Sequence, residues 1–138
     1  MAGYSGTPLP KKLGIKEGHS VAILDAPAGF DKTLGALPDD VVVQSQLGAG
    51  RKPIDVVIVF VTRRAELRRR LSAMRRSMAQ TGGLWVAWPK KASGVVTDMT
   101  EDVVRDVALP TGLVDNKVCA IDGTWSGLRL VIRLENRR

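Results

Sequence analysis

Ile54-Asp-Val-Val-Ile-Val-Phe-Val61 runs directly into Thr62-Arg-Arg-Ala-Glu-Leu-Arg-Arg-Arg-Leu-Ser-Ala-Met-Arg-Arg-Ser-Met-Ala-Gln80. The first eight residues are β-branched or aromatic almost throughout and apolar on both faces after Asp55. That is the pattern of a central parallel strand covered by helices on either side. In the next nineteen, Leu67, Leu71, Met74 and Met78 recur at steps of four, three and four, within about 60° on a 3.6-residue wheel. A two-sided strand followed by an amphipathic helix is the building unit of an α/β layer fold. Burial is worth roughly 1.5 to 3 kcal/mol for each residue of the stripe, which suffices to hold the helix on a sheet.

Working outward, Thr81-Gly-Gly83 is expected to end the helix with a left-handed glycine cap. Gly83 to Trp88 is the next strand, stopped by Pro89. Upstream, Val21 to Asp25 reads as a buried strand broken by Pro27-Ala-Gly-Phe30. A short helix over Asp31 to Leu37 then leads through the Pro38-Asp-Asp40 turn to the strand Val41-Val-Val43. Leu47 to Pro53 is a loop, in which Gly48-Ala-Gly-Arg-Lys52 lacks the spacing of a phosphate-binding loop and reads as a connector. Downstream, Asp98-Met-Thr-Glu101 has capping-box spacing, with Asp98 as N-cap of a helix whose buried face is Met99, Val103, Val104 and Val107. Pro110 and Gly112 end that helix. Val114 to Ile121 and Leu128 to Leu134 are β-rich, and the short link between them forces an antiparallel hairpin. The expectation is a three-layer Rossmann-like domain over residues 1–138, mostly parallel with a C-terminal antiparallel hairpin, with residues 1–19 as a partly flexible lead-in.

The composition removes several chemistries. Cys119 and His19 are the only cysteine and histidine, so one subunit cannot assemble a Cys/His zinc site or a Cys/His or Ser/His catalytic pair. No metal site is expected. The longest relevant apolar run, Val56 to Val61, is far below the roughly 20 residues of a spanning helix, and the first residues lack a signal core. A cytoplasmic protein with no membrane contact is the expectation. The formal net charge of +7 is concentrated between Arg63 and Lys91, which hold nine Lys/Arg against one Glu. A local positive field is a statement about partners, not about fold.

Three segments, Trp85-Val-Ala-Trp-Pro-Lys-Lys-Ala-Ser-Gly94, Gly112-Leu-Val-Asp-Asn-Lys-Val-Cys-Ala-Ile-Asp122 and Trp125-Ser-Gly-Leu-Arg129, resemble a bacterial family of short proteins catalogued as domain of unknown function 3052. Leu13-Gly-Ile-Lys-Glu-Gly18 resembles it too. The resemblance implies a bacterial, cytoplasmic, single-domain protein and transfers no activity. The terminal hairpin resembles, at fold level, the Rossmann-like methyltransferases, whose last strand is antiparallel; this implies the strand order 2-1-3-4-6-5. A methyltransferase or dinucleotide enzyme needs closely spaced glycines after its first strand. Here Leu24-Asp-Ala-Pro-Ala-Gly-Phe30 has one, Gly29, while Pro27 removes a donor, and Val43-Gln-Ser-Gln46 lacks an acidic residue for a ribose. No cofactor is expected on these grounds.

Two surfaces remain as candidates. Ligands of open parallel sheets bind outside the carboxyl ends of the strands. That rim would gather Asp25, Gly29, Thr62, Arg63, Lys90, Lys91 and Ser93, with the lysines as point charges and Arg63 as a clamp for phosphate or carboxylate. The second surface is Arg64, Arg68, Arg69, Arg75 and Arg76 on the outer face of the helix, facing an acidic protein or nucleic-acid phosphates. Trp85 and Trp88, three apart, point to opposite faces and cannot form a stacking platform, which disfavours nucleic acid. Asp25, Asp115 and Asp122 read as turn or strand-end residues, Cys119 as a buried thiol, and Trp125 to Arg129 as structural. The resulting expectation is a non-catalytic module recognising an anionic small molecule or acidic protein. An enzyme with an unconventional lysine site at the rim is the alternative, as is non-specific nucleic-acid binding through the arginines.

Overall fold

In the computed structural model, which describes residues 6–48 and 52–138, six strands form one sheet in the order β2-β1-β3-β4-β6-β5. The strands are β1 (Ser20–Leu24), β2 (Val42–Gln44), β3 (Ile54–Phe60), β4 (Met78–Pro89), β5 (Leu113–Ala120) and β6 (Trp125–Ile132). β2, β1, β3 and β4 are parallel, and β6 enters antiparallel between β4 and β5. The order is the one expected. Ala49, Gly50 and Arg51 of the Gly48–Lys52 connector lie outside the described residues.

β3 lies between β1 and β4, and Val57, Ile58 and Val59 are wholly buried, as its two-sided apolar pattern requires. One face packs under α3 (Arg64–Ser77) and α4 (Glu101–Ala108), through Leu67, Leu71 and Met74 of α3 and Val104, Val107 and Ala108 of α4. The other face is covered by the short helices α1 (Leu9–Lys12) and α2 (Phe30–Leu34). The two tryptophans separate as alternation dictates, Trp85 into the α1/α2 side and Trp88 into the α3/α4 side. Leu13 and Ile15 of the lead-in are buried beside Trp85, whose indole N–H donates to the Leu13 carbonyl at 2.9 Å.

Two local expectations are corrected. The helix does not run to Thr81-Gly-Gly83. It ends at Ser77, Met78 turns extended (φ −75°, ψ 143°), and β4 begins there by pairing Met78 with Ile54. The register then slips before Val56 meets Gly83, so the glycines serve the strand and not a cap. A Cβ on Gly82 would lie 2.8 Å from the Asp55 carbonyl oxygen, which is why glycine stands there.

Asp98 is likewise not the N-cap of α4. Thr100 is, its hydroxyl accepting from Val103 N–H at 3.1 Å. Asp98 instead accepts the Arg64 amide at 2.7 Å, placing a carboxylate at the amino end of α3, which lacks a capping side chain of its own. The capping-box pattern was matched by sequence spacing, but a contact 34 residues away took its first member. Thr100→Ala is expected to cost about 1 kcal/mol, read as a lower Tm; an unchanged Tm would refute the cap.

Candidate functional site

The loop after β1 carries the positional chemistry of this end of the sheet. Asp25 follows the strand directly with φ 57°, a left-handed conformation ordinarily supplied by glycine, and Gly29 enters α2 with φ 83°. The chain therefore takes a turn of the kind a glycine-rich loop makes, with a single glycine in it. α2 is locked behind the loop because Phe30 and Leu34 are buried. Phe30 meets Phe60 edge-on at 4.8 Å, and Phe60 meets Trp125 at 5.0 Å. Trp125 thus fastens the hairpin to the sheet, as expected.

Between this loop, α2 and the end of β2 lies a cleft of about 410 Å³. Its walls are apolar, from Ile23, Phe30, Leu34, Leu37 and Val43, and its polar groups are Asp31, Gln44 and Ser45, with Gly29 and Pro27 at the loop. The volume falls in the range of small-molecule sites, and the placement is outside the carboxyl ends of β1 and β2, beside the point where strand order reverses. Apart from Gly29, these lining residues lay outside the sequence-derived set. The signal was divided between an edge strand and a five-residue helix, and only tertiary packing brings the two together.

The residues expected at the rim follow the strand ends but have local commitments. Asp25 pairs with Arg70 of α3, closing the side of the β1 turn away from the cleft. Thr62 offers its carbonyl to the Thr97 hydroxyl at 2.6 Å, and Arg63 is the extended residue before α3. The Lys90 amide donates to the Thr124 carbonyl at 2.7 Å, and Lys91 to Ser93 form a 3-10 turn. The Ser93 hydroxyl donates to the Lys90 carbonyl at 2.6 Å and accepts from Val95 N–H, so its proton is used within its own turn. Of this set only Gly29 lines the cleft.

The arginine face divides in the same way. Arg68, Arg69 and Arg76 are exposed, and Arg76 donates to Ser72 one turn back. Arg64 and Arg75 are half-buried, and Arg75 Nε is enclosed with no hydrogen-bond partner among the described residues. Asp115 is held by Arg105, which also pairs with Glu101 at 2.5 Å and Asp102 at 3.2 Å. Asp122 accepts the Thr124 and Trp125 amides at 2.8 Å each and shapes the hairpin turn. Cys119 is half-buried, and burial pushes its thiol pKa up, which keeps it protonated and unreactive near neutral pH.

No family model matches the chain, so the resemblance to domain of unknown function 3052 gains no support, and a comparison with curated proteins finds no relative. Solved structures do resemble it. One is a SAM-dependent methyltransferase from Aquifex aeolicus, 16% identical, aligned over 88% of this chain and 87% of that one with a TM-score of 0.62. Another is the N-methyltransferase NodS from Bradyrhizobium japonicum, 15% identical over 88% and 90% with a TM-score of 0.58. A third, the magnesium protoporphyrin IX methyltransferase of Synechocystis with bound SAM, is 12% identical over 90% and 74% with a TM-score of 0.54. At these identities the likeness establishes the methyltransferase-type Rossmann fold. No helix among the described residues is long and apolar enough to cross a membrane.

These neighbours correct two expectations drawn from the sequence. The expectation of a non-catalytic module for anionic partners is overturned by neighbours that are methyl-transferring enzymes. The expectation of no cofactor is overturned by the SAM held in the Synechocystis structure. That expectation weighed the missing glycines and the missing acid, whereas backbone conformation and an apolar cleft are properties of the folded chain.

Proposed function

We propose that this chain binds S-adenosylmethionine, or its demethylated product, in the cleft beside β1 and acts in methyl transfer. The observation that carries the reading is the cleft itself: an apolar slot of nucleoside size at the carboxyl ends of β1 and β2, in a sheet of this strand order.

The residues present suit the ligand. Ile23, Leu34, Leu37 and Val43 offer the apolar walls that an adenine ring needs. Gln44 and Ser45, at the end of β2, supply the amide and hydroxyl for ribose hydroxyls where many nucleotide sites use a carboxylate. Asp31, at the cleft wall, would offer a negative charge to a cationic sulfonium. Gly29 supplies the left-handed turn of the loop, because a Cβ there, though it would meet nothing within 4 Å, would sit at φ 83°. The cofactor, when bound, supplies a methyl group on sulfur. The chain's part is to hold the adenosyl portion and to orient it toward the rim over β3 and β4. Thr62, Arg63, Lys90, Lys91 and Ser93 stand there as the acceptor side.

The test is a titration of the full chain with SAM, S-adenosylhomocysteine and ATP, followed by thermal shift and calorimetry. Saturation at 100 times the dissociation constant is expected to add roughly 2.7 kcal/mol of stability. Ala26→Trp, which fills the mouth of the cleft from an exposed position, is expected to weaken SAM binding by about tenfold or more with little change in the unliganded Tm. Failure of millimolar SAM and its product to shift the Tm overturns the reading. So does equal binding of ATP.

A further inference from the structure

We propose a second binding site, remote from the cleft, in which Arg129 and a group of lysines hold a phosphoryl group. It does not depend on the methyl-transfer reading.

Arg129 sits within β6, paired across to Trp85 of β4 and Lys117 of β5. Cross-strand partners share a face, so its side chain emerges on the side that carries Trp85, Leu13 and α1. Its guanidinium occupies the space beside the Gly83 Cα: a Cβ there would be 2.6 Å from Nε and 2.9 Å from Cζ. Glycine at position 83 makes room for the arginine. Gly83 is therefore as much a part of the site as the charge it admits.

This guanidinium is half-buried. Among the described residues no carboxylate lies within ion-pairing distance of it, and no hydrogen-bond acceptor holds it. Burial, and Arg137 nearby, both lower its pKa. A partly desolvated cation costs folding free energy unless something anionic compensates it.

The surroundings are basic as well. Arg129 borders a cavity of about 230 Å³ whose other walls are Lys11, Lys12, Leu13, Gly14, Asn116 and Lys117. Four cations and an amide line it, and none of its lining residues is acidic. Lys117 is held in place by donating to the Lys12 carbonyl at 3.0 Å, so α1 and β5 are already tied together across the opening. On its other side Arg129 borders a second hollow of about 390 Å³ with Lys16, His19 and Asp55. Asp55 there accepts the Ser20 amide at 2.9 Å, and His19 Nδ1 accepts the Lys16 amide at 3.1 Å. Among the described residues Asp55 is the one acid lining either hollow and makes no ion pair with Arg129, and the lysine side of Arg129 is left for an anion.

A tetrahedral oxyanion suits this set because guanidinium presents paired donors to two oxygens while lysines act as adaptable point charges. The chemical class is a small phosphorylated molecule that places its phosphate on Arg129 and its remainder toward Asn116. Three separate chain segments contribute, around positions 11–14, 116–117 and 129. That dispersal hid the site from sequence reading, which took Arg129 as structural.

The experiment titrates the full chain with inorganic phosphate and pyrophosphate in a zwitterionic buffer, with chloride compensating ionic strength. Thermal shift and calorimetry read the binding. Pyrophosphate is expected to stabilise the wild type beyond the chloride control. Arg129→Met is expected to weaken pyrophosphate by about tenfold, and the exposed Lys117→Ala by about threefold, with SAM binding unaltered in both. Should Arg129→Met fail to fold, Lys117→Ala and Lys11→Ala carry the test. The site is refuted if pyrophosphate does no more than chloride. It is also refuted if the response survives Arg129→Met and is lost instead in an Arg68→Ala/Arg69→Ala variant, the result expected of diffuse attraction to the α3 face. Because the SAM titration is run on the same proteins, loss of one ligand without the other separates this proposal from the cleft.

Discussion

Trp85→Ala is expected to cost about 3 to 5 kcal/mol, and to leave little folded protein at 37 °C if the total stability is in the usual range. Trp85 is wholly buried at the centre of β4, opposite Ile58 on one side and Arg129 on the other. Its loss opens a large cavity beneath the α1/α2 layer, which is the thin layer of this fold. There the covering helices are four and five residues long, against fourteen and eight on the other face. Short helices offer little material to collapse into a void, so relief by repacking is limited. The substitution also strands the Leu13 carbonyl, which accepts the indole N–H at 2.9 Å. A conservative control separates the two contributions: Trp85→Phe keeps most of the volume and loses the hydrogen bond, and should cost about 1 to 3 kcal/mol. Urea unfolding measures both. If Trp85→Ala loses less than Trp85→Phe, the cavity argument fails.

Gly82→Ala is expected to destabilise by about 1 to 3 kcal/mol, although it adds a single methyl group and sits at an ordinary backbone angle. The added carbon would stand 2.8 Å from the Asp55 carbonyl oxygen, 3.0 Å from that of Ile54 and 3.1 Å from that of Ala79. All three are backbone atoms, so no side chain can rotate away. Relief of the Asp55 and Ile54 contacts requires β3 and β4 to separate where their register slips, between Ile54–Met78 and Val56–Gly83, and that of Ala79 requires β4 itself to distort. A domain of this size should lose roughly 3 to 5 °C of Tm for each kcal/mol. Thermal denaturation with Ala79→Gly as a neighbouring control would show the effect; a Tm within 1 °C of wild type would mean the strands yield freely there.

Much of the layer architecture was legible in the chain because the responsible signals are local. The all-apolar Val56 to Val61 run, the Leu67, Leu71, Met74 stripe and the short link to the last strand each constrain their own segment strongly. The glycines after α3 were misread for the opposite reason. Thr81-Gly-Gly83 satisfies the local rule for a helix stop, and what it accommodates is the neighbouring strand's carbonyls and an arginine from β6. The same holds for Asp98, which matched the capping box of the following helix and was recruited by the preceding one.

The sites show the sharper division. The charge concentrated between Arg63 and Lys91 was visible by counting and drew attention to the rim and the outer face of α3. Neither the cleft nor the Arg129 cavity belongs to that block. The cleft is made by an exposed edge strand, a five-residue helix and a turn held at φ 57° by an aspartate, none of which has a strong pattern alone. Arg129 gains its meaning from Gly83, Lys12 and Lys117, which approach it only when β6 inserts between β4 and β5. By itself the sequence determined the alternation of strands and helices, the two-sided burial of the central strand and the antiparallel end, because hydrophobic period and turn chemistry act between neighbours. Only the tertiary structure decided which polar groups keep a partner and which face a cavity unpaired, because that depends on contacts between residues tens of positions apart.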